Sequence, residues 1–483
     1  STSPSPPTPT MAVFELTANS AGVLNLDAVS VIPGDAVHGL WRRDVFDKLT
    51  NLRPGFIRMP GGNYLEGTGP RTRWDWKKTI GPREMRAGHF NSAWHYWVTD
   101  AVGLHELLLL CEQTLSIPQL SVYTGYSMTQ PYIPLNQSKQ FAQDALDMIE
   151  YAIGDVTTPY GAKRAAAGHP APFSLSRLEV GNEEKLMSPD DYPGHYKLIT
   201  SAIWSKYPNM TVIASGHWGP SDVGNPCTTG QRCDAWDEHY YRSPDQMASM
   251  GGLYDNYARS KPDVFVGEFA APSMVGDNLT LQGAIAEAVF MLGFEANGDV
   301  VRSGSFAPLL CNVNNLRVKY NLIMFDTSRL YAIPSYYMQV MLRDGVGDFV
   351  LKSKLGECSN SKGNSTNSDT NSDISTTNNN DNTNTNTTTD NGNAGVTIAT
   401  ATIRGSNALL LKYAAYSNTS TLLNVTLDGF TSVHPTATHT VLTSVTSGKD
   451  GANTLDNPTA VVPVTSTIPV GLSFTVHVPA WSV

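Results

Sequence analysis

The segment RLEVGNEEKL (Arg177–Leu186) opens as an apolar strand and closes on Asn182, Glu183 and Glu184. A second segment, VFVGEFAA (Val264–Ala271), carries Glu268 at the end of a similar run. RMPGGN adds Arg58 and Asn63, and DEHYY adds Asp237, Glu238, His239, Tyr240 and Tyr241. Glutamates on separate strand ends, among amides and aromatic rings, suit glycoside hydrolysis. One carboxylic acid protonates the leaving oxygen, and the other carboxylate attacks the anomeric carbon or activates water. Aromatic faces suit sugar rings, and amides suit hydroxyls. The same pattern also fits a structural ion pair or solvated loop ends. Glu184, Asp237 and Glu238 read as supporting or surface carboxylates, and Tyr240 as packing. His239 reads equally as a hydrogen-bonded core histidine. Trp94 and Trp97 fit core positions or pocket walls, and His217 and Trp218 follow a strand that could border a pocket.

These residues need a scaffold that brings strand ends together. From 37 to 343, strand-like runs alternate with helical patterns such as KQFAQDALDMIEYAIGD and LQGAIAEAVFMLGFEANG. Repeated βα units imply a parallel sheet. No GxGxxG turn is present, so a closed (β/α)8 TIM barrel is expected rather than an open nucleotide-binding sheet. In such a barrel, chemistry gathers at the C-terminal strand ends. Seven strands are legible: FIRMPGG, PQLSVYT, SRLEVGN, TVIASG, WDEHYY, VFVGEFA and VVRSGSFA. An eighth is not. WRRDVFDKLTNL reads as a helix, and LNLDAVSVIP alternates like a sandwich strand, so 1–36 is expected to be linker and sandwich segment. Residues 344–483 carry short alternating strands without helices, the pattern of an antiparallel, jelly-roll-like β-sandwich. Within them, 359–393 is an Asn/Thr/Ser/Asp tract with almost no apolar residue, expected to be a disordered, glycosylated loop.

Composition narrows the partners. The formal net charge is -10 over 483 residues, which disfavours a nucleic-acid partner, because phosphate binding needs a basic face. No apolar run is long enough to span a membrane. Asn-X-Ser/Thr sequons stand at Asn136, Asn209, Asn278, Asn364, Asn386, Asn418 and Asn424. Together they favour a secreted, extracellular glycoprotein. The opening STSPSPPTPT reads as a linker or a processed end. Cys227 and Cys233 bracket a short polar loop that a disulfide could close. Cys111 sits in an apolar helical pattern as a buried thiol, and the remaining cysteines are Cys311 and Cys358. There is no CxxC or HExxH, so no zinc site is expected, and the chemistry above calls for no metal or organic cofactor.

The ordered series FIRMPGGNYLEG, TRWDWKKTIGPREMRAGHFNSAWHYWVTDAVGLHE, LEVGNEE, WDEHYYRSP, VFVGEFAA and SYYMQVML resembles the α-L-arabinofuranosidases of glycoside hydrolase family 51, in their eukaryotic, fungal type. The resemblance runs over about 22–350, and the tail resembles the family's sandwich. It implies a retaining, exo-acting enzyme that releases terminal arabinofuranose from arabinoxylan- or arabinan-type plant polysaccharides. In that clan the acid/base follows the fourth strand and the nucleophile the seventh. If FIRMPGG is the second strand, these are Glu183 and Glu268. The resemblance further implies that Arg58 steadies the nucleophile, and that Asn63 and Asn182 bind furanose hydroxyls. It places Tyr241 near the nucleophile with His239 beside it, and makes Trp94 a wall of the sugar pocket. Two departures stand out. Family members carry a longer N-terminal region that includes the first strand. A second polypeptide, the N-terminal piece of a precursor cut near STSPSPPTPT, is therefore expected to complete the barrel. NVNNLRVKYNLI also lacks a tryptophan expected near Leu316. An endo-β-1,4-glucanase or xylanase on the same scaffold, and an inactive carbohydrate-binding protein, remain as alternatives.

Overall fold

The structure, a computed structural model, describes residues 15–17, 19–24, 26, 29–184, 191–216, 225–272, 280–356, 370–377, 396–405 and 407–483, with the backbone alone for 356 and 370–377. Asn278, Asn364, Asn386, Cys358, His217, Trp218 and the STSPSPPTPT opening lie outside these residues.

Seven parallel strands form one sheet in chain order. They are β1 (Phe56–Met59), β2 (Ile117–Val122), β3 (Arg177–Val180), β4 (Thr211–Ala214), β5 (Ala235–Tyr241), β6 (Asp263–Ala270) and β7 (Val301–Phe306). Sequential order with helical crossovers is the winding of a TIM barrel. Strand alternation sorts the side chains. Leu178 and Val180 of β3 point outward into the main core beneath the helices. Phe56, Ile213, Ala235 and Phe265 make a small separate apolar cluster. One step along their strands, Arg58 and Asp237 begin a polar layer.

The helices follow from apolar spacing. Lys139–Ile153 buries Phe141, Ala142, Ala145, Met148, Ile149 and Ala152, the stripe of an amphipathic helix. Leu281–Ala296 is apolar all round because it is covered twice. Ala286, Phe290 and Phe294 pack with Phe269 and Phe306 of the barrel. Leu281, Ala284, Ile285, Ala288 and Leu292 pack with Ile398, Ala414, Leu442, Val461 and Val483 of the C-terminal region. At this junction buried Lys412 pairs with Glu295.

The C-terminal region is an antiparallel-rich sandwich built on a six-stranded sheet and a two-stranded ribbon. Two expectations are corrected here. Thr370–Thr377, inside the tract read as a disordered loop, is a strand between Phe349–Gly356 and Thr421–Asp428. Ladder hydrogen bonds come from the backbone, so a segment poor in apolar residues can fill a slot between two strands. Conversely, the described residues of LNLDAVSVIP form no strand, and Leu24, Leu26, Val29, Val31 and Ile32 are exposed. An alternating pattern becomes a strand only where a neighbouring strand meets it.

Candidate active site

β1 delivers Arg58, after which the chain turns through Gly61 and Gly62, both at positive φ. A Cβ on Gly62 would lie 3.6 Å from Glu268 Oε1, so the turn passes against that carboxylate. β3 brings Glu179 to the polar layer. Beyond it, Gly181 (φ 94°) and Glu183 (φ 47°) break the strand geometry. A glutamate in the left-handed region is strained, and such strain concentrates at functional sites. β5 and β6 shift register between Glu238 and His239, which sets His239 opposite Glu268. Gly267 donates its N–H to Asp237 Oδ1 at 2.8 Å and leaves no room for a Cβ.

One oxygen of Glu183, one of Glu268 and a ring nitrogen of His239 all lie within 4.8 Å of one another. Glu268 is held on both oxygens: Arg58 Nη1 donates to Oε1 at 2.8 Å and the Tyr241 hydroxyl to Oε2 at 2.7 Å. The rest of the Arg58 guanidinium meets Glu179 through Nε at 2.6 Å and Nη2 at 2.8 Å, and Asn182 Oδ1 at 2.8 Å. Ser121 also donates to Glu179, at 2.9 Å. Burial pushes Glu179 up, and Arg58 opposes that shift. Arg58 itself stays charged: burial works against it, but Glu179, Glu268 and Asp237 outweigh burial.

His239 contacts Glu183 Oε1 through Nδ1 at 3.0 Å and Asp237 Oδ2 through Nε2 at 2.8 Å. Burial disfavours its charge, yet Asp237 first and Glu268 next hold it well above the usual histidine range. A ring charged in this way donates from both nitrogens. Both ring nitrogens are already engaged by carboxylate oxygens, an arrangement suited to holding a proton among these groups. Glu184 is tied down separately by Thr124, Tyr132 and the backbone of Asn182, and burial pushes it up to about 8. Glu238 takes the hydroxyls of Tyr240 and Tyr254. Both carboxylates act within the scaffold.

The pair opens onto a cavity of about 980 Å³ lined by Arg58, Asn63, Trp94, Glu183, Tyr241 and Glu268. The structure thus brings together six of the eight residues expected from sequence to catalyse or contact substrate. The other two sit behind the wall: Asn182 is 1% exposed and His239 0%. The buried His239 ring stands between Glu183 and Asp237. Asn182 spends its oxygen on Arg58 and an N–H on Glu66. Trp94 sits in the turn of the hairpin His89–Asn91/Tyr96–Val98, where Asn91 Oδ1 accepts from its backbone N–H. Trp97, on the same hairpin, is 62% exposed. Where a tryptophan was expected near Leu316, Tyr320 borders the cavity, its ring 5.5 Å from that of Tyr241. Sequence reading missed Glu66, Glu179 and Tyr320. Only Glu179 left a signal, since its place two residues after Arg177 puts it on the face opposite Leu178 and Val180. A disulfide joins Cys227 to Cys233, and Cys111 is a buried free thiol.

The chain is similar to known proteins over most of its length. The family model of the α-L-arabinofuranosidase 1 domain matches residues 48–259, and that of the α-L-arabinofuranosidase C-terminal domain matches 251–482. The chain is 34% identical to α-L-arabinofuranosidase 1 of Arabidopsis thaliana, over 74% of this chain and 50% of that one. It is 37% identical to the probable α-L-arabinofuranosidase A of Aspergillus terreus, over 63% of this chain and 48% of that one. The chain therefore spans about half the length of the curated relatives it matches. An arabinose-bound family 51 α-L-arabinofuranosidase superposes with a TM-score of 0.78 at 30% identity, covering 91% of this chain and 65% of that one. The Thermotoga maritima enzyme, at 19% identity and a TM-score of 0.69 over 92% of this chain and 89% of that one, shares the fold.

Proposed function

The chain belongs to the α-L-arabinofuranosidases of glycoside hydrolase family 51, and on that premise we propose that its site is that of a retaining, exo-acting α-L-arabinofuranosidase with Glu268 as nucleophile and Glu183 as acid/base. The observation that carries this reading is the pairing of two carboxylates with oxygens within 4.8 Å, one of them gripped by Arg58 and Tyr241. Retaining pairs stand about 5–5.5 Å apart, too close for an intervening water. A Glu268 oxygen attacks the anomeric carbon while Glu183 gives its proton to the glycosidic oxygen. The carbon–oxygen bond breaks, the alcohol leaves, and a glycosyl ester forms on Glu268. Glu183, now a carboxylate, takes a proton from water, whose oxygen attacks the same carbon and frees Glu268. Asn63 and Trp94 border the cavity and are the candidate sugar contacts on its wall. The test is intact mass after incubation with an arabinofuranose-configured cyclophellitol-type inactivator, followed by peptide mapping. One adduct, on Glu268, is expected. An adduct on another residue, or labelling only by a glucose-configured reagent, would overturn the assignment.

The substrate class proposed is arabinose-containing plant polysaccharide of the arabinoxylan or arabinan type, handled by a barrel over 37–343 with the sandwich over 344–483. Secretion as a glycoprotein is supported by the exposure of Asn136, Asn209 and Asn418. It is also supported by the Streptomyces chartreusis relative named as an extracellular exo-α-L-arabinofuranosidase.

A second polypeptide strand belongs to the same reading. Among the described strands, β1 and β7 are the sheet's edges, and the cavity runs between them past Ile57 and Gly304 to Leu342 and Val346. Unpaired edges facing a cleft are suited to strand addition. Intact-mass analysis of the native protein under denaturing conditions is expected to show two chains, and a single chain would refute this point.

A further inference from the structure

Glu66 closes the short helix Asn63–Glu66 that follows β1, and it is 1% exposed. Its side chain takes Asn182 Nδ2 at 2.8 Å on Oε2 and Asn63 Nδ2 at 3.1 Å on Oε1. Asn182 cannot turn over. Its Oδ1 accepts from Arg58 Nη2 at 2.8 Å, and a guanidinium can only donate. The remaining end of Asn182 must therefore present N–H to Glu66. The backbone holds Glu66 in place: Ser127 donates to its carbonyl at 2.9 Å. After it, Gly67 sits at φ +59° where a Cβ would lie 2.3 Å from Thr72 O. Burial first, with repulsion from Glu183 and Glu184 added, holds the Glu66 carboxyl well above the usual carboxylate range, while the amide donors of Asn63 and Asn182 on its two oxygens favour the charged form. A buried carboxylate kept near two others at such cost calls for a reason beyond packing.

We propose that Glu66 is a positioning residue for sugar recognition: by accepting the N–H of Asn63 it turns Asn63 Oδ1 into the cavity as an acceptor for a ligand hydroxyl, while the same carboxylate locks Asn182 onto Arg58. This rests on the reading above in which Asn63 contacts the furanose. The chemistry makes a sharp demand on substitutions. Glu66→Gln leaves one acceptor and one donor where there were two acceptors. Asn182 is fixed by Arg58, so the glutamine oxygen must face Asn182 and its NH₂ must face Asn63. The Asn63 amide then turns over and shows N–H to the ligand where it had shown oxygen. Adding Asn63→Asp supplies a carboxylate that accepts from that glutamine and again presents oxygen to the cavity.

The experiment is steady-state kinetics on an aryl α-L-arabinofuranoside with Tm measured in parallel. Glu66→Gln is expected to raise KM about tenfold, the effect of one misdirected hydrogen bond, with a smaller change in kcat. The double variant Glu66→Gln/Asn63→Asp is expected to return KM to within about threefold of the parent, whereas Asn63→Asp alone, with two carboxylates face to face, is not. A role confined to stability would lower Tm in Glu66→Gln and show no recovery of KM in the double variant. That result, or a double variant that does not fold, overturns the proposal. Asn63→Ala separates the two readings. If it leaves KM unchanged, the sugar contact itself is wrong. If it raises KM and Glu66→Gln does not, the positioning role is wrong.

Discussion

His239 Nδ1 lies 3.0 Å from Glu183 Oε1 and 3.6 Å from Glu268 Oε2, so one imidazole touches both carboxylates of the pair. Its other nitrogen is anchored on Asp237 at 2.8 Å. A histidine raised on folding adds its stability in full below the unfolded value of about 6.5. That contribution drains away as pH climbs through the raised folded value. Asp237 is the largest of the groups that raise it, and is itself held below the usual carboxylate range: burial opposes its charge, but His239 and Arg58 prevail. Its share of stability is present above its unfolded value of about 3.9 and is lost as pH falls. Asp237→Asn removes both. The Tm gap between parent and variant is expected to be widest between about pH 4 and 6.5 and to shrink as pH rises. Thermal melts across pH 3–10, the range of these titrations, read it directly, and a gap constant across that range contradicts the argument.

Tyr241 gives Glu268 its second donor, at 2.7 Å. Hydrogen bonds to a charged group contribute about 1.5–3 kcal/mol. Tyr241→Phe keeps the ring against Tyr320 and removes only the hydroxyl. A fall in kcat of roughly 10- to 100-fold is expected, with Tm lowered by only a few degrees. If the loss appears in KM alone, Tyr241 serves binding rather than the alignment of Glu268.

Arg58 is the hinge of the polar layer, since one guanidinium serves Glu179, Asn182 and Glu268. Lysine is a point charge that cannot reproduce three directed contacts. Arg58→Lys is expected to lower kcat/KM by about 10²–10³ and to slow labelling of Glu268 by a mechanism-based inactivator in proportion. It also leaves buried Glu179 short of donors, so Tm should fall as well. Unaltered labelling would show that Arg58 matters to the fold and not to Glu268.

The site was legible where alternation is strong. The runs before Glu183 and Glu268 are apolar enough to be strands, and polar residues at their ends mark the C-terminal rim of the barrel. What alternation could not supply was depth. Asn182 and His239 carry pocket-like side chains, yet a glycine break after β3 and the β5/β6 register shift set them behind the wall. Glu66 was hidden because its partners, Asn63 and Asn182, are 3 and 116 residues away. In the sandwich, Thr370–Thr377 was hidden because a strand can rest on backbone pairing without an apolar face. The exposed residues around Leu24–Ile32 show the reverse, an apolar alternation without a strand to meet it.

Glu183 and Glu268 differ in what their removal should leave behind. In the proposed mechanism no glycosyl ester forms without Glu268, so Glu268→Ala is expected to lose turnover on every substrate in the absence of an added nucleophile. In the proposed mechanism Glu183 acts twice, first giving a proton to the leaving oxygen and then taking one from water. A substrate with a strongly acidic phenol needs no proton to depart, so Glu183→Ala should still form the ester on it and then stall. On a substrate with a poor leaving group the first step fails too, and losses there should exceed those on the activated phenol by about 10²-fold or more. Azide is a nucleophile that needs no general base. Added azide is expected to restore turnover of the activated substrate by Glu183→Ala by attacking the glycosyl ester, with an arabinosyl azide of retained configuration as product, whereas in Glu268→Ala it can only take the place of the missing carboxylate and give the inverted azide. Product analysis by NMR, which reads the anomeric configuration, decides the matter: an inverted azide from the Glu183 variant and a retained one from the Glu268 variant would exchange the two roles.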